Sequence, residues 1–103
     1  GDMSEKELKD LLKGYDRTAV LRKDSKRSFR IFLYRNLRRM QIMTAIQKKD
    51  DWRVEGISEY TPILPDQPVT VIRLTRLRIA PNTKRLRRRT PYAKGSADIE
   101  ENE

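Results

Sequence analysis

Five cations stand within six residues near the carboxyl end of the chain, and they suit phosphate recognition. They are Lys84, Arg85, Arg87, Arg88 and Arg89. A guanidinium presents a fork of N–H donors that matches two phosphate oxygens. A nucleic-acid backbone that meets such a cluster releases its own condensed counterions, which favours binding. The cluster therefore predicts contact with the phosphates of DNA or RNA. The alternatives are a localisation signal read by a receptor and a plain solvated tail.

Two further groups of arginines extend this basic character toward the middle of the chain. One group has spacings of three and four residues, which would form a compact stripe on a predicted helix. The other begins on a predicted strand and continues toward the tail, where no acid follows until Asp98. A solvated helix face is the alternative for the stripe. The complete predicted nucleic-acid-binding set is Arg35, Arg38, Arg39, Arg73, Arg76, Arg78, Lys84, Arg85, Arg87, Arg88 and Arg89.

The charge of the chain is strongly segregated. Its 103 residues carry 24 Lys and Arg against 15 Asp and Glu, a net charge of +9. Residues 17–94 hold 21 of those cations but only six of the acids. A basic excess of this kind attracts and steers polyanions. DNA or RNA is the predicted partner, an acidic protein is the rival, and the sequence leaves a homo-oligomer open.

Aromatic side chains offer a second way to hold nucleic acid, because unpaired bases stack on them. Phe29 and Phe32 are assigned to the core, and Trp52 also favours a core position. No RNP-type aromatic signature, GXXG loop or zinc-finger spacing is present, so no standard module supports the prediction. The stacking candidates are Tyr34, Trp52, Tyr60 and Tyr92.

The residue types argue against catalysis. The chain has no Cys and no His, which excludes zinc fingers, thiolate nucleophiles and imidazole bases. The acids between residues 50 and 66 fit turns and local charge balance better than a Mg²⁺ site, and no glycine-rich phosphate loop is present. We therefore expect a non-enzymatic protein with no cofactor and no metal site.

The elements that would position these residues begin with a helix and a hairpin. Ser4 and Glu7 fit a capping box, and leucines at one face follow, which predicts a helix over residues 4–13 that Gly14 stops. Two β-prone runs around a polar step predict a hairpin over residues 18–34. The alternative is one long helix over residues 25–49, because the apolar residues there also share a helical face.

The second half of the chain repeats the pattern of helix and then strands. Asn36 is expected to cap a helix over residues 37–49. A period-two alternation at residues 40–46 leaves open a second hairpin and, with it, a barrel. Strands are predicted over residues 52–60, with Gly56 at a bulge, and over residues 69–79. The proline-rich segment 61–68 must be a loop, since each proline lacks an amide donor.

These elements predict the α+β class. We expect one small domain over residues 4–80, with an N-terminal helix, antiparallel strands and a second helix, and a flexible basic-then-acidic tail over residues 81–103. A small five-stranded β-barrel with an N-terminal helix is the alternative. The acidic terminus is expected to fold back on the Arg cluster, so removing residues 96–103 should tighten polyanion binding at low salt.

The absence of a long apolar run predicts no membrane span and an intracellular protein. The predicted function is that of a non-enzymatic nucleic-acid-binding accessory or regulatory protein that contacts mainly the phosphate backbone. The alternative is a protein-interaction or assembly factor that binds an acidic protein partner.

Overall fold

The structure is a computed structural model that describes residues 1–77. Its elements are α1 (Glu5–Tyr15), β1 (Val20–Lys23), β2 (Ser28–Leu33), α2 (Arg39–Gln47), β3 (Trp52–Glu59) and β4 (Thr70–Arg76). The strands form one antiparallel sheet in the order β1-β2-β4-β3. The predicted α+β class is confirmed. The barrel alternative is wrong, because β1 and β3 are opposite edges of an open sheet. The predicted tail, residues 81–103, lies outside the described residues.

The start of α1 follows the predicted capping box. Ser4 Oγ accepts a hydrogen bond from the Glu7 amide at 3.1 Å, and Glu7 Oε1 accepts one from the Ser4 amide at 2.8 Å. The Ser4 amide and hydroxyl donors hold the pKa of Glu7 below its ordinary value, because they stabilise its charged form. Leu8 and Leu12 are buried on one face of the helix, which fixes that face against the sheet.

The end of α1 is set by Asp16 and not by Gly14, so the predicted stop at Gly14 is wrong. The helix continues to Tyr15, and the Asp16 amide donates to the Leu12 carbonyl at 2.8 Å. The Asp16 carboxylate accepts from the Thr18 amide at 2.9 Å and from the Thr18 hydroxyl at 2.6 Å. These bonds turn the chain out of the helix and into β1.

The predicted hairpin over residues 18–34 is confirmed as β1 and β2. Its register places Val20 opposite Phe32 and Lys23 opposite Phe29. The Asp24 amide closes the turn by donating to the Ser28 carbonyl at 2.8 Å. The alternative of one long helix over residues 25–49 is wrong. Alternate side chains of β2 share one face of the sheet, where Phe29, Ile31 and Leu33 are buried.

The second helix is confirmed but is shorter than predicted. α2 begins at Arg39, and the capping position before it is Arg38, whose side chain makes no capping bond. The prediction that Asn36 caps this helix is therefore wrong. Asn36 Oδ1 instead accepts a hydrogen bond from the hydroxyl of buried Thr70 at 3.1 Å. The Asn36 side chain thus bonds to a residue that is distant in the sequence, and not to the amides at the start of α2.

The apolar spacing within α2 explains why it is not a strand. Ile42 and Ile46, one helical turn apart, are both buried in the core. A strand would place them on one face with Met40 and Thr44, and both of these are exposed. The second hairpin that the alternation left open is therefore wrong.

β4 lies between β2 and β3 and pairs with both. The register of β3 against β4 shifts between Val54 and Gly56, which confirms the predicted bulge and makes Glu55 its extra residue. The loop that joins the two strands is confirmed as well. Its base is closed by the Tyr60 amide, which donates to the Val69 carbonyl at 2.9 Å.

The hydrophobic core lies between one face of the sheet and both helices. Phe29 packs edge-on against Trp52, with ring centroids 4.9 Å apart and an interplanar angle of 67°. Trp52 Nε1 donates to the Met3 carbonyl at 2.7 Å, which fixes the amino-terminal segment to the sheet. Within residues 1–77 both helices pack on this face, so neither covers the opposite one. No helix of the described residues is long and apolar enough to cross a membrane.

Candidate nucleic-acid interface

The face of the sheet that points away from both helices carries the candidate site, and we name it the open face. Three arginines stand there in direct cross-strand register. Arg22 of β1 lies opposite Arg30 of β2, and Arg30 lies opposite Arg73 of β4. We name this set the arginine row. Like charges directly opposite each other on neighbouring strands repel, so the row costs stability unless negative charge is brought to it.

One member of the arginine row has a carboxylate partner within the fold. Asp24, in the hairpin turn, accepts from both Nε and Nη2 of Arg30 at 2.8 Å. The hydrogen bond from Arg30 holds the pKa of Asp24 below its ordinary value, and the same bond raises the pKa of Arg30. Arg22 and Arg73 form no ion pair with any carboxylate of residues 1–77. Two of the three guanidinium groups thus remain available to an external anion.

The bulge in β3 determines where the Arg73 side chain lies. Arg73 is paired with Gly56, and its Nη1 donates to Ser58 Oγ at 2.7 Å. A Cβ atom at Gly56 would lie 3.0 Å from Arg73 Cζ and would overlap Nη2. The guanidinium therefore occupies space that exists only because residue 56 has no side chain.

Phe32 lies beside the arginine row on the open face. The Arg22 and Arg30 Cζ atoms are 5.5 Å and 5.1 Å from its ring centroid, which is cation–π geometry. The prediction that Phe32 belongs to the core is wrong. Phe29 and Phe32 are an odd number of residues apart in one strand and so point to opposite faces, and only Phe29 is fully buried. The alternation of Ser28, Arg30 and Phe32 in the sequence was the signal that could have identified it.

Two tyrosines extend the open face beyond the strand ends. Tyr34 and Tyr60 are the first residues after β2 and β3, and continued alternation would place them on the faces of Phe32 and Ser58. Val69 connects them, because its amide donates to the Leu33 carbonyl at 2.8 Å while its carbonyl accepts from the Tyr60 amide. Tyr60 is 55% exposed and Tyr34 is half-buried. Of the other stacking candidates, Trp52 is buried in the core, and Tyr92 lies outside the described residues.

The structure distributes the predicted arginines over several places instead of one groove. Arg73 lies on the open face. Arg76 has the opposite strand parity, and its Cζ atom lies 5.5 Å from the Trp52 ring centroid. Its two terminal nitrogens are 3.7 Å from Glu5 Oε2 and 3.9 Å from Asp51 Oδ2. Strand alternation therefore places Arg73 with the candidate site and Arg76 at the edge of the core.

The predicted stripe of Arg35, Arg38 and Arg39 does not form, because α2 begins only at Arg39. Arg39 pairs with Glu59, and Arg35 Nη2 lies 3.6 Å from the buried Asp16 carboxylate. Burial acts to raise the pKa of Asp16. The hydrogen bonds from Thr18 and the charge of Arg35 outweigh that effect, so the pKa lies below its ordinary value.

The rest of the predicted set lies outside the described residues. These are Arg78, Lys84, Arg85, Arg87, Arg88 and Arg89.

A separate groove of about 480 Å³ opens between the two helices, on the other side of the sheet from the open face. Leu11 and Tyr15 of α1 line it together with Met40 of α2, and Lys48 and Lys49 also belong to its lining. Met40 is 63% exposed, so the groove presents apolar surface to solvent. Its chemistry suits an apolar side chain with acidic neighbours.

Comparisons of the chain with known protein families, with curated proteins and with solved structures find no match. In the described part of the chain no three carboxylates come together in a way that could hold a metal ion. The open face, with its arginine row and its aromatic side chains, is the arrangement on which a functional inference rests.

Proposed function

We propose that this protein is a non-enzymatic nucleic-acid-binding accessory or regulatory protein, which holds its ligand mainly through backbone phosphates. Among residues 1–77, the open face is the contact surface. The observation that carries this proposal is the arginine row, which stands on a sheet face that neither helix covers. An anionic polymer that lies across the strands would supply the counter-charge that the arginine row lacks.

Some arginines of the fold form ion pairs with its carboxylates, and others do not. Residues 1–77 contain ten arginines, and five of them pair with carboxylates of the same fold. Three of those five, Arg35, Arg39 and Arg76, contact carboxylates near the helices and the edge of the core. Arg22 and Arg73, which lack such partners, are both on the open face. Two of the five arginines of residues 1–77 that lack a carboxylate partner thus lie where a ligand on the open face can reach them.

The basic cluster of residues 84–89 adds to the same surface by chain connectivity. It begins eight residues after β4 ends at Arg76. Eight residues reach at most about 29 Å, so the cluster stays within reach of a ligand that lies across the sheet. Phosphate contacts from the cluster and from the arginine row would then act on one bound strand.

Salt dependence of binding tests this proposal. The affinity of the full chain for fluorescein-labelled DNA and RNA oligonucleotides is measured by anisotropy over a series of salt concentrations. The Arg22→Ala/Arg73→Ala variant should reduce the slope of log K against log salt by about 1.4–1.8, since each lost phosphate contact removes 0.7–0.9. The control is Lys6→Ala/Lys9→Ala, which removes the same charge from exposed positions on α1 and should change the slope far less.

Two results would refute the proposal. One is that none of the oligonucleotides binds the parent chain at low salt. The other is that the control variant lowers the slope as much as the variant of the arginine row, which would mean that only net charge matters and not the open face.

A second candidate function is a protein-interaction factor that binds an acidic protein partner. The groove between α1 and α2 favours it, because exposed Met40 lines this groove together with Lys48 and Lys49. Leu8 and Leu12 of α1 are buried in the core, so they serve the fold and do not line a docking surface. Substituting Met40→Ser separates the two functions, since it should leave oligonucleotide affinity unchanged and weaken only a protein complex.

A further inference from the structure

We infer that the ligand of the open face is a single strand, with an unpaired base stacked on Phe32 beside the arginine row. This inference rests on the proposed function and adds the form of nucleic acid to it. Three features of the described residues carry it. They are the width of the sheet, the position of Phe32, and the two tyrosines that follow the strand ends beyond it.

The shape of the open face does not suit a duplex groove. Strands lie about 4.8 Å apart, so the four strands span about 14 Å between the axes of β1 and β3. The major groove of B-DNA is about 12 Å wide and admits one helix or a two-stranded ribbon. Neither α1 nor α2 projects from this face, because both pack on the other one. The face can therefore receive a strand laid flat on it, but it cannot be inserted into a duplex.

Phe32 supplies a stacking surface in the middle of this face. It is half-buried, with Val20 on one side and Val71 on the other in direct register. The Arg22 and Arg30 guanidinium groups lie over this ring, so a base that stacks on it displaces them toward the adjoining phosphates. An aromatic ring and cations side by side on a sheet are what unpaired nucleotides require.

The cations and the aromatic rings form two neighbouring bands across the sheet. Arg22, Arg30 and Arg73 make the first band. Phe32 lies two residues along β2 from Arg30, about 7 Å away, and Tyr34 and Tyr60 follow beyond it. A single strand can lay its phosphates along the first band and its bases on the second. A duplex turns its bases inward and would leave the aromatic band without a partner.

The experiment uses one labelled strand, either free or hybridised to its complement. Fluorescence anisotropy measures the affinity of the chain of residues 1–103 for each form. The parent chain should bind the free strand at least ten times more tightly than the duplex. Tyr60→Ala removes an exposed ring with little risk to the fold, and Phe32→Leu removes a ring while keeping apolar bulk. Each should lower single-strand affinity by about 5-fold to 150-fold, the range typical of one stacked base.

Two controls isolate stacking from charge and from folding. Tyr15→Ala removes a tyrosine that is 40% exposed on the helix side, and it should leave affinity unchanged. Trp52 is the only tryptophan and is buried, so its emission spectrum verifies that each variant remains folded. The stacking variants should also keep the parent salt slope, because a lost base contact releases no counterions.

Several outcomes would overturn the inference. One such outcome is that the parent chain binds the duplex as tightly as the single strand, or more tightly. Another is that Phe32→Leu and Tyr60→Ala both bind the single strand with the same affinity as the parent chain. If the Arg22→Ala/Arg73→Ala variant still lowers the salt slope in those cases, the proposed function survives and only the single-strand inference fails. If the parent chain binds neither form, both fail together.

Discussion

Replacing Gly56 with alanine should weaken nucleic-acid binding while leaving the protein folded. The added Cβ would lie 3.0 Å from Arg73 Cζ and 3.5 Å from Nε, and it would overlap Nη2. The atoms that must move belong to the far end of a flexible side chain and not to the backbone. Gly56 also has no left-handed φ, so an alanine there is not strained. The substitution therefore displaces the guanidinium from its position over β3.

The expected change in stability is small because two effects oppose each other. The displaced guanidinium loses its exposed hydrogen bond to Ser58, which is worth about 0.5–1.5 kcal/mol. Alanine restricts the unfolded chain more than glycine does, which returns about 0.4–1 kcal/mol. The free energy of unfolding should therefore stay within about 1 kcal/mol of the parent value. Urea unfolding followed by tryptophan emission measures this quantity.

The expected change in binding follows from the loss of one phosphate contact. One contact contributes about 0.7–0.9 to the slope of log K against log salt. Taken from about 1 M down to about 0.15 M salt, that slope gives about a fourfold to sixfold gain in affinity, and losing the contact should remove this gain at about 0.15 M salt. The displaced guanidinium keeps its charge, so this range is an upper limit for Gly56→Ala. Arg73→Ala should reach the limit, since it removes the charge as well.

A double-mutant cycle decides whether Arg73 transmits the effect. In the Arg73→Ala background no guanidinium remains to be displaced, so adding Gly56→Ala should leave oligonucleotide affinity unchanged. Loss of affinity by the same factor in both backgrounds would refute the reasoning. Unfolding of the single variant by several kcal/mol would also refute it, because the clash would then involve the backbone of the sheet.

Three further predictions concern the carboxylates. Asp24→Asn removes the ion pair of Arg30 and one negative charge from the edge of the open face, so oligonucleotide affinity at low salt should rise; unchanged or weaker binding in anisotropy titrations would contradict this. Asp16→Asn should lower the free energy of unfolding by about 1–3 kcal/mol near neutral pH. The folded pKa of Asp16 is lowered, so this difference is complete above its ordinary value of 3.8 and should shrink as the pH falls below it; urea unfolding that gives a constant difference down to acid pH would oppose the assignment. Asp51→Ala leaves the buried amide of Met3 without its acceptor and should cost about 1–3 kcal/mol in thermal or urea unfolding, whereas parent stability would show that water replaces the carboxylate.

Local patterns were sufficient to predict most of the elements. The capping box at Ser4 was predictable because its partners lie three residues apart, and the bulge at Gly56 because a glycine interrupts a β-prone run. The prolines of residues 61–68 excluded regular structure there. Each of these signals acts over a few residues, so no knowledge of the packing was needed.

Two predictions about helix ends were wrong because of hydrogen bonds that the helix pattern does not show, one to a distant strand and one to a residue two positions along the chain. Asn36 was expected to cap α2, but its side chain oxygen accepts from Thr70, which belongs to the last strand. Gly14 was expected to stop α1, but the bonds of Asp16 to Thr18 end the helix two residues later. Local propensities were overridden because a hydrogen bond that forms in the folded chain satisfies the same polar group.

The candidate site also combines features that the sequence predicts with features that only the tertiary structure determines. The sequence alone predicted the basic excess and a strand that contains Arg73, but it wrongly assigned Phe32 to the core together with Phe29. Only the tertiary structure decides that β4 inserts between β2 and β3, which brings Arg73 beside Arg30 and over Gly56. Only the placement of both helices on one face decides that Phe32 and the arginine row stay open. Strand order and helix placement arise from burying the most apolar surface at once, and that sum over the whole chain cannot be read from any local segment.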